Sequence, residues 1–154
     1  MIKLTTKSAE QTAALGEKIG KMLKPGDVLA LYGDLGSGKT ALTSGIARAL
    51  NAGSVSSPTF TIVNEYGGTI PLYHFDAYRI NSDDWLNCGF DEYLFGDGVC
   101  VIEWSENITD ILPDGCVKIR ISRCLEKGTD VRNFEIEGQP DFEKGLIENE
   151  HTGS

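Results

Sequence analysis

The run Gly33-Asp34-Leu35-Gly36-Ser37-Gly38-Lys39-Thr40 constrains this chain more than any other feature, because it satisfies G-x-x-x-x-G-K-[ST] at every fixed position. Glycines let the backbone curl so that successive N–H groups face one concavity, an anion nest closed by a helix N-terminus. A triphosphate suits such a nest. Lys39 can reach its β- and γ-phosphate oxygens, and the Thr40 hydroxyl can ligate Mg²⁺. The motif requires a strand before it and a helix after it. Val28 to Tyr32 is a continuous apolar run bounded by Lys24-Pro25-Gly26 and Gly33, the pattern of a buried strand. Gly38 to Leu50 carries Leu42, Ile46 and Ala49 at helical spacing, with Asn51 and Gly53 where a helix C-terminus would place them. The nucleotide-contacting residues expected here are Asp34, Gly36, Ser37, Gly38, Lys39, Thr40 and Ala41.

The remaining segments predict one α/β domain over residues 1–140, a P-loop NTPase-like fold. Its central sheet should be mostly parallel, with antiparallel hairpin additions and flanking helices. Ser8 and Gln11 form a capping box for a first helix over 8–23, with Leu15, Ile19, Met22 and Leu23 on one face. Phe60 to Tyr66 and Pro71 to Tyr78 read as strands joined around Gly67-Gly68. A short helix is expected from about Asp83 to Phe95, broken near Gly89, and then a buried strand from Val99 to Trp104. Val117, Ile119 and Ile121, and then Phe134 and Ile136, alternate with polar residues as in a closing hairpin with one wet face. From Asp141 the tail to residue 154 is acidic and short of apolar anchors, so fraying is expected.

A P-loop enzyme also needs an acid near its metal, and Val99-Cys100-Val101-Ile102-Glu103 delivers one to the C-terminal end of a buried strand. Glu103 could hold Mg²⁺ or orient the attacking water; the competing reading is a surface glutamate at a strand end. Trp104 could cover the site or pack in the core. Strand alternation puts His74, Asp76 and Tyr78 on one face, where Asp76 could bond a metal-bound water or simply meet solvent. Ser57-Pro58-Thr59-Phe60 has the form of a switch loop in which Thr59 senses the γ-phosphate. Arg79 and Arg132 are conceivable phosphate partners, but neither stands in a diagnostic motif. Since an arginine finger is worth on the order of 10³ to 10⁵ in rate, slow turnover by the isolated chain is expected.

Charge narrows the partners. With 14 basic and 23 acidic side chains the net charge is −9, and no Lys/Arg cluster offers a footprint for nucleic acid. Strong direct RNA or DNA binding is not expected. No apolar run is long enough to span a bilayer and no signal peptide is legible at the N-terminus, so a cytoplasmic protein without membrane contact is expected. The four cysteines lack C-x-x-C spacing and read as free thiols in a reducing compartment.

In series, the P-loop, Ser57-Pro58-Thr59-Phe60-Thr61, Tyr73-His74-Phe75-Asp76-Ala77-Tyr78-Arg79 and Val101-Ile102-Glu103-Trp104 resemble the TsaE (YjeE) family, over about residues 5 to 137. These are bacterial P-loop ATPases needed to make threonylcarbamoyladenosine in tRNA. The resemblance implies ATP and Mg²⁺ as cofactors and TsaB- and TsaD-like proteins as partners, with tRNA reached through that complex. It implies that Gly36 to Thr40 grip phosphates, that Thr40 and Glu103 hold magnesium, and that Asp76 and Trp104 serve activity. It also sets Thr12, and Arg132 with it, near the adenine. The catalytic residues expected are therefore Lys39, Asp76 and Glu103. Two alternatives stay open: a small-molecule P-loop kinase, though neither an arginine-rich lid nor an acceptor pocket is legible, and a nucleotide-gated scaffold with incidental hydrolysis. A small GTPase is disfavoured by the lack of an Asn/Thr-Lys-x-Asp run to read guanine.

Overall fold

Strands that are apolar on both faces need cover on both, and the chain meets this with helices on either side of one sheet. The computed structural model describes residues 1–33, 38–53 and 62–152, the last five by backbone alone. In chain order the elements are β1 (Ile2–Thr6), α1 (Ala9–Gly20), β2 (Val28–Tyr32), α2 (Lys39–Ala49), β3 (Val63–Tyr66), β4 (Leu72–Asp76), α3 (Ser82–Asn87), α4 (Asp91–Leu94), β5 (Val99–Glu103), β6 (Val117–Arg123), β7 (Arg132–Glu137) and α5 (Pro140–Thr152). The described strands form one sheet in the order β1-β7-β6-β2-β5-β4-β3. The central four, β6, β2, β5 and β4, run parallel. An antiparallel β7–β1 pair extends one edge and antiparallel β3 closes the other. This is the expected mixed α/β architecture.

Every residue of β2 and of β5 is buried. On one face Leu29, Leu31, Val101, Ile119 and Phe134 meet Leu15 and Ile19 of α1 and Leu42 and Ile46 of α2. On the other, Ala30, Tyr32, Phe75 and Ile102 meet Trp85 of α3 and Leu94 of α4. Gly89, with φ +76, separates α3 from α4 where the break was expected. Among the described residues no helix is long and apolar enough to cross a membrane.

Helices α1 and α2 approach so closely that two glycines are required. A Cβ on Gly45 would lie 1.9 Å from the Ala13 carbonyl oxygen, and one on Gly16 would lie 2.2 Å from that of Leu42. The P-loop helix is thereby seated on α1 with no side chain between the backbones.

One strand was not expected from the sequence, and three sequence expectations need correction. Ile2 to Thr6 is a strand, half-buried at Ile2 and Leu4 and exposed at Lys3 and Thr5, with Leu4 paired to Phe134. The tail does not fray at Asp141. Helix α5 runs from Pro140 to Thr152, with Leu146 fully buried and Phe142 packed on the same core. The capping box of α1 is half formed: Ser8 Oγ accepts from Gln11 N–H at 3.1 Å, but Gln11 Oε1 accepts from Lys7 N–H at 2.7 Å. The second hairpin strand stops at Asp76 rather than Tyr78, because Asp76 Oδ1 turns the chain by accepting Tyr78 N–H at 3.0 Å.

The four thiols are free: Cys88 exposed, Cys124 half-buried, Cys100 and Cys116 buried. Burial pushes the Cys100 thiol up to about 12, so it stays protonated at any pH near neutral. Iodoacetamide at pH 8 should label Cys88 in the native protein and Cys100 only in urea, as mass spectrometry of timed digests would show. Gly45→Ala should cost about 1–3 kcal/mol in urea unfolding, the usual cost of overpacking. Gly67→Ala, where an added Cβ meets nothing within 4 Å, should be close to neutral.

Candidate functional site

The site forms where β2 and β5 end together beneath the N-terminus of α2. Gly33 and Gly38, with φ of +141° and +109°, adopt backbone conformations that L side chains rarely enter. Gly38 is the N-cap of α2, and no acidic residue occupies the first turn. The helix therefore presents its positive end without a carboxylate of its own, as an anion site requires.

Lys39 opens α2 and turns its side chain inward, with only 4% of the residue exposed. Its Nζ donates to the Gly33 carbonyl oxygen at 2.9 Å and lies 3.9 Å from Glu103 Oε1. The ring of Trp104 lies 4.5 Å from Nζ, a cation–π contact that shields the ammonium. Trp104 holds a left-handed conformation, φ 58° and ψ 41°, rare for a bulky residue and a mark of local constraint. That conformation turns the chain immediately after Glu103, and the Ser105 hydroxyl ties the turn back to the Ile102 carbonyl at 2.8 Å. Tyr78, largely exposed, packs against the Trp104 ring at a centroid distance of 4.9 Å.

Glu103 is 7% exposed, so it is no surface residue. Its Oε2 lies 2.6 Å from Nε2 of His74, which is fully buried on β4. Parallel pairing sets Asp76 directly beside Glu103. Lys39, His74, Asp76, Glu103 and Trp104 are thus brought to one end of the sheet. His74 stands on the expected polar strand face, outside the set of expected site residues. Its bond to Glu103 depends on the register of two strands, which a single sequence does not reveal.

Arg132, at the start of β7, lies against Gly38: a Cβ there would sit 3.6 Å from its Cγ and Nε. Its Nη1 donates to the carbonyl oxygens of Thr129 and Val131 at 2.6 and 3.1 Å. Thr6 is paired with Arg132, and the Thr6 hydroxyl meets that of buried Thr12 at 2.7 Å. Thr12 and Arg132 are therefore linked through Thr6. Thr40 is exposed in the first turn of α2, with half-buried Ala41 beside it. Asp34, Gly36, Ser37 and Thr59 lie outside the described residues. Arg79 is exposed in the turn after β4.

No group of three or more His, Cys, Asp or Glu side chains among the described residues could hold a metal unaided. One buried carboxylate and one hydroxyl instead suit Mg²⁺, which keeps several waters and is commonly bound by one or two carboxylates plus substrate phosphates.

A family model described as "Threonylcarbamoyl adenosine biosynthesis protein TsaE" matches residues 6–132. The tRNA threonylcarbamoyladenosine biosynthesis protein TsaE of Bacillus subtilis is 46% identical over 124 residues, 79% of this chain and 78% of the relative. The protein of the same name from Treponema pallidum is 40% identical over 129 residues, covering 82% and 95% of the two chains. The crystal structure of Bacillus subtilis YdiB superposes with a TM-score of 0.79 at 37% identity, over 99% of this chain and 96% of that one.

Glu103→Ala should be expensive even without ligand, because it strips an acceptor from His74 and a counter-charge from Lys39. A loss of about 1–3 kcal/mol or more in urea unfolding is expected. A surface glutamate would cost within about 0.5 kcal/mol.

Proposed function

Because this chain belongs to the TsaE family of threonylcarbamoyl adenosine biosynthesis proteins, we propose that it is an ATPase that binds Mg-ATP through its P-loop. It hydrolyses the nucleotide slowly, in support of a TsaB–TsaD-like assembly that modifies tRNA in the cytoplasm. The observation that carries this reading is the buried Lys39 ammonium, held between Gly33, Glu103 and Trp104 at the open end of α2.

Each residue then has a task. The α2 N-terminus and the loop glycines bind the phosphates through backbone N–H groups. Lys39, resting on a neutral carbonyl, has a stronger charge-assisted acceptor in a phosphate oxygen. Trp104 keeps water from the ammonium, which strengthens its attraction for phosphate. Thr40 and Glu103 would hold magnesium, which neutralises charge on the β- and γ-phosphates when bound. Asp76, beside Glu103, orients the attacking water. Arg132 and Thr12 flank the loop on the side assigned to the base. A net charge of −9 favours work through protein partners over a direct grip on tRNA.

Release of labelled phosphate from Mg-ATP tests the reading. Slow hydrolysis by the chain alone is expected, faster when TsaB- and TsaD-like partners are added, and abolished by EDTA. GTP should be a poorer substrate. Asp76→Asn should lower kcat more than it raises KM. Transfer of the label to a metabolite, or no release in any mixture, would overturn the assignment.

A further inference from the structure

His74 is fully buried on β4, and nothing in the preceding reading uses it. Burying an imidazole is costly unless its nitrogens are bonded. Among the described residues only Nε2 finds a partner, 2.6 Å from Glu103 Oε2, while buried Nδ1 has no hydrogen-bond partner. A side chain kept only to fill this space would do better as an apolar group of similar size, which leaves nothing unsatisfied. The position therefore tolerates an orphan nitrogen in exchange for one bond to one carboxylate oxygen. An ionised carboxylate only accepts, so Nε2 carries the proton and donates it.

The strand register gives that bond a consequence. Asp76 and Glu103 are paired neighbours on parallel strands, where like charges repel. Each acid has its own donor: Tyr78 N–H serves Asp76 Oδ1 at 3.0 Å, and His74 serves Glu103 Oε2. With Oε2 tied to β4, Oε1 is the oxygen turned toward Lys39, 3.9 Å from Nζ. Apart from exchange of its two equivalent oxygens, this rotation gives each one a partner, His74 for Oε2 and Lys39 for Oε1.

We propose that His74 is a positioning residue that fixes the rotation of Glu103, committing Oε2 to the protein and presenting Oε1 to the magnesium–triphosphate. This rests on the Mg-ATP reading above. His74 itself touches neither phosphate nor metal. Donors behind a ligating carboxylate commonly tune metal affinity by about 10- to 100-fold.

Two variants separate positioning from packing. His74→Leu fills the space without a donor and removes the orphan nitrogen, whereas His74→Gln keeps an amide N–H at similar reach. The readout is the Mg²⁺ concentration that gives half of the ATP-dependent rise in melting temperature. It should increase about 10- to 100-fold in His74→Leu and stay near wild type in His74→Gln. ATP affinity in EDTA should be alike in all three proteins. An equal Mg²⁺ requirement in wild type and His74→Leu would overturn the inference. Wild-type protein that gives no ATP response at all would instead overturn the Mg-ATP reading, and the inference with it. Ring ¹⁵N spectra decide the matter without any variant that must fold. The chain has two histidines, and one should show a ring protonated at Nε2 whose shift moves when Mg²⁺ joins the ATP complex. An Nε2 that carries no proton, or an Nε2 signal indifferent to Mg²⁺, would overturn it.

Discussion

A lysine ammonium 4% exposed and a glutamate 7% exposed stand 3.9 Å apart where β2 and β5 end, and the surrounding structure serves to make that burial tolerable. Removing two charges from water costs several kcal/mol per ion unless each is bonded. Gly33 supplies a carbonyl to Lys39, Trp104 supplies a π face, and His74 supplies a donor to Glu103. Each partner comes from a different element, so the site exists only once the sheet has its register. A cluster of this kind is poor economy for stability alone. It makes sense as a device for holding charge ready at the mouth of a helix.

The fold delivers these groups by ordinary packing. Buried β2 and β5 bring Lys39 and Glu103 to the same edge of the sheet, the C-terminal edge where open α/β sheets bind ligands. The glycine contact between α1 and α2 fixes the P-loop helix on the sheet. Thr12 bonds Thr6, Thr6 pairs with Arg132, and Arg132 reaches Gly38 from β7. The left-handed turn at Trp104 reverses the chain so that the ring returns over the lysine that precedes it in sequence by 65 positions (104 − 39).

The parts legible in the sequence are those whose cause is local. Val28 to Tyr32 and Val99 to Glu103 announce themselves because both faces are buried, which leaves no polar position to dilute the signal. The P-loop is legible because its spacing is a backbone requirement. Gly89 is legible as a break because glycine readily takes the positive φ found there. What escaped depends on distant pairing. Strand β1 is a short edge strand whose two half-buried residues gain meaning only against β7. Helix α5 is acidic, and among the described residues its buried apolar anchors are Phe142 and Leu146, one turn apart, so composition hid it. The His74–Glu103 bond and the approach of Arg132 to Gly38 each join strands or loops far apart in sequence. Glu103 and Asp76 were identified by residue type and strand position, but their side-by-side placement had to come from the structure.

The central claim is that the buried ammonium and the open helix end form a triphosphate site. Calorimetric titration of Mg-ATP into the pure chain, beside the same titration into Lys39→Ala, tests it most directly. Saturable one-site heat is expected for the wild type, with affinity weakened about tenfold or more in the variant, the worth of one charge-assisted contact. Absence of heat in the wild type, or equal affinity in the two proteins, would contradict it.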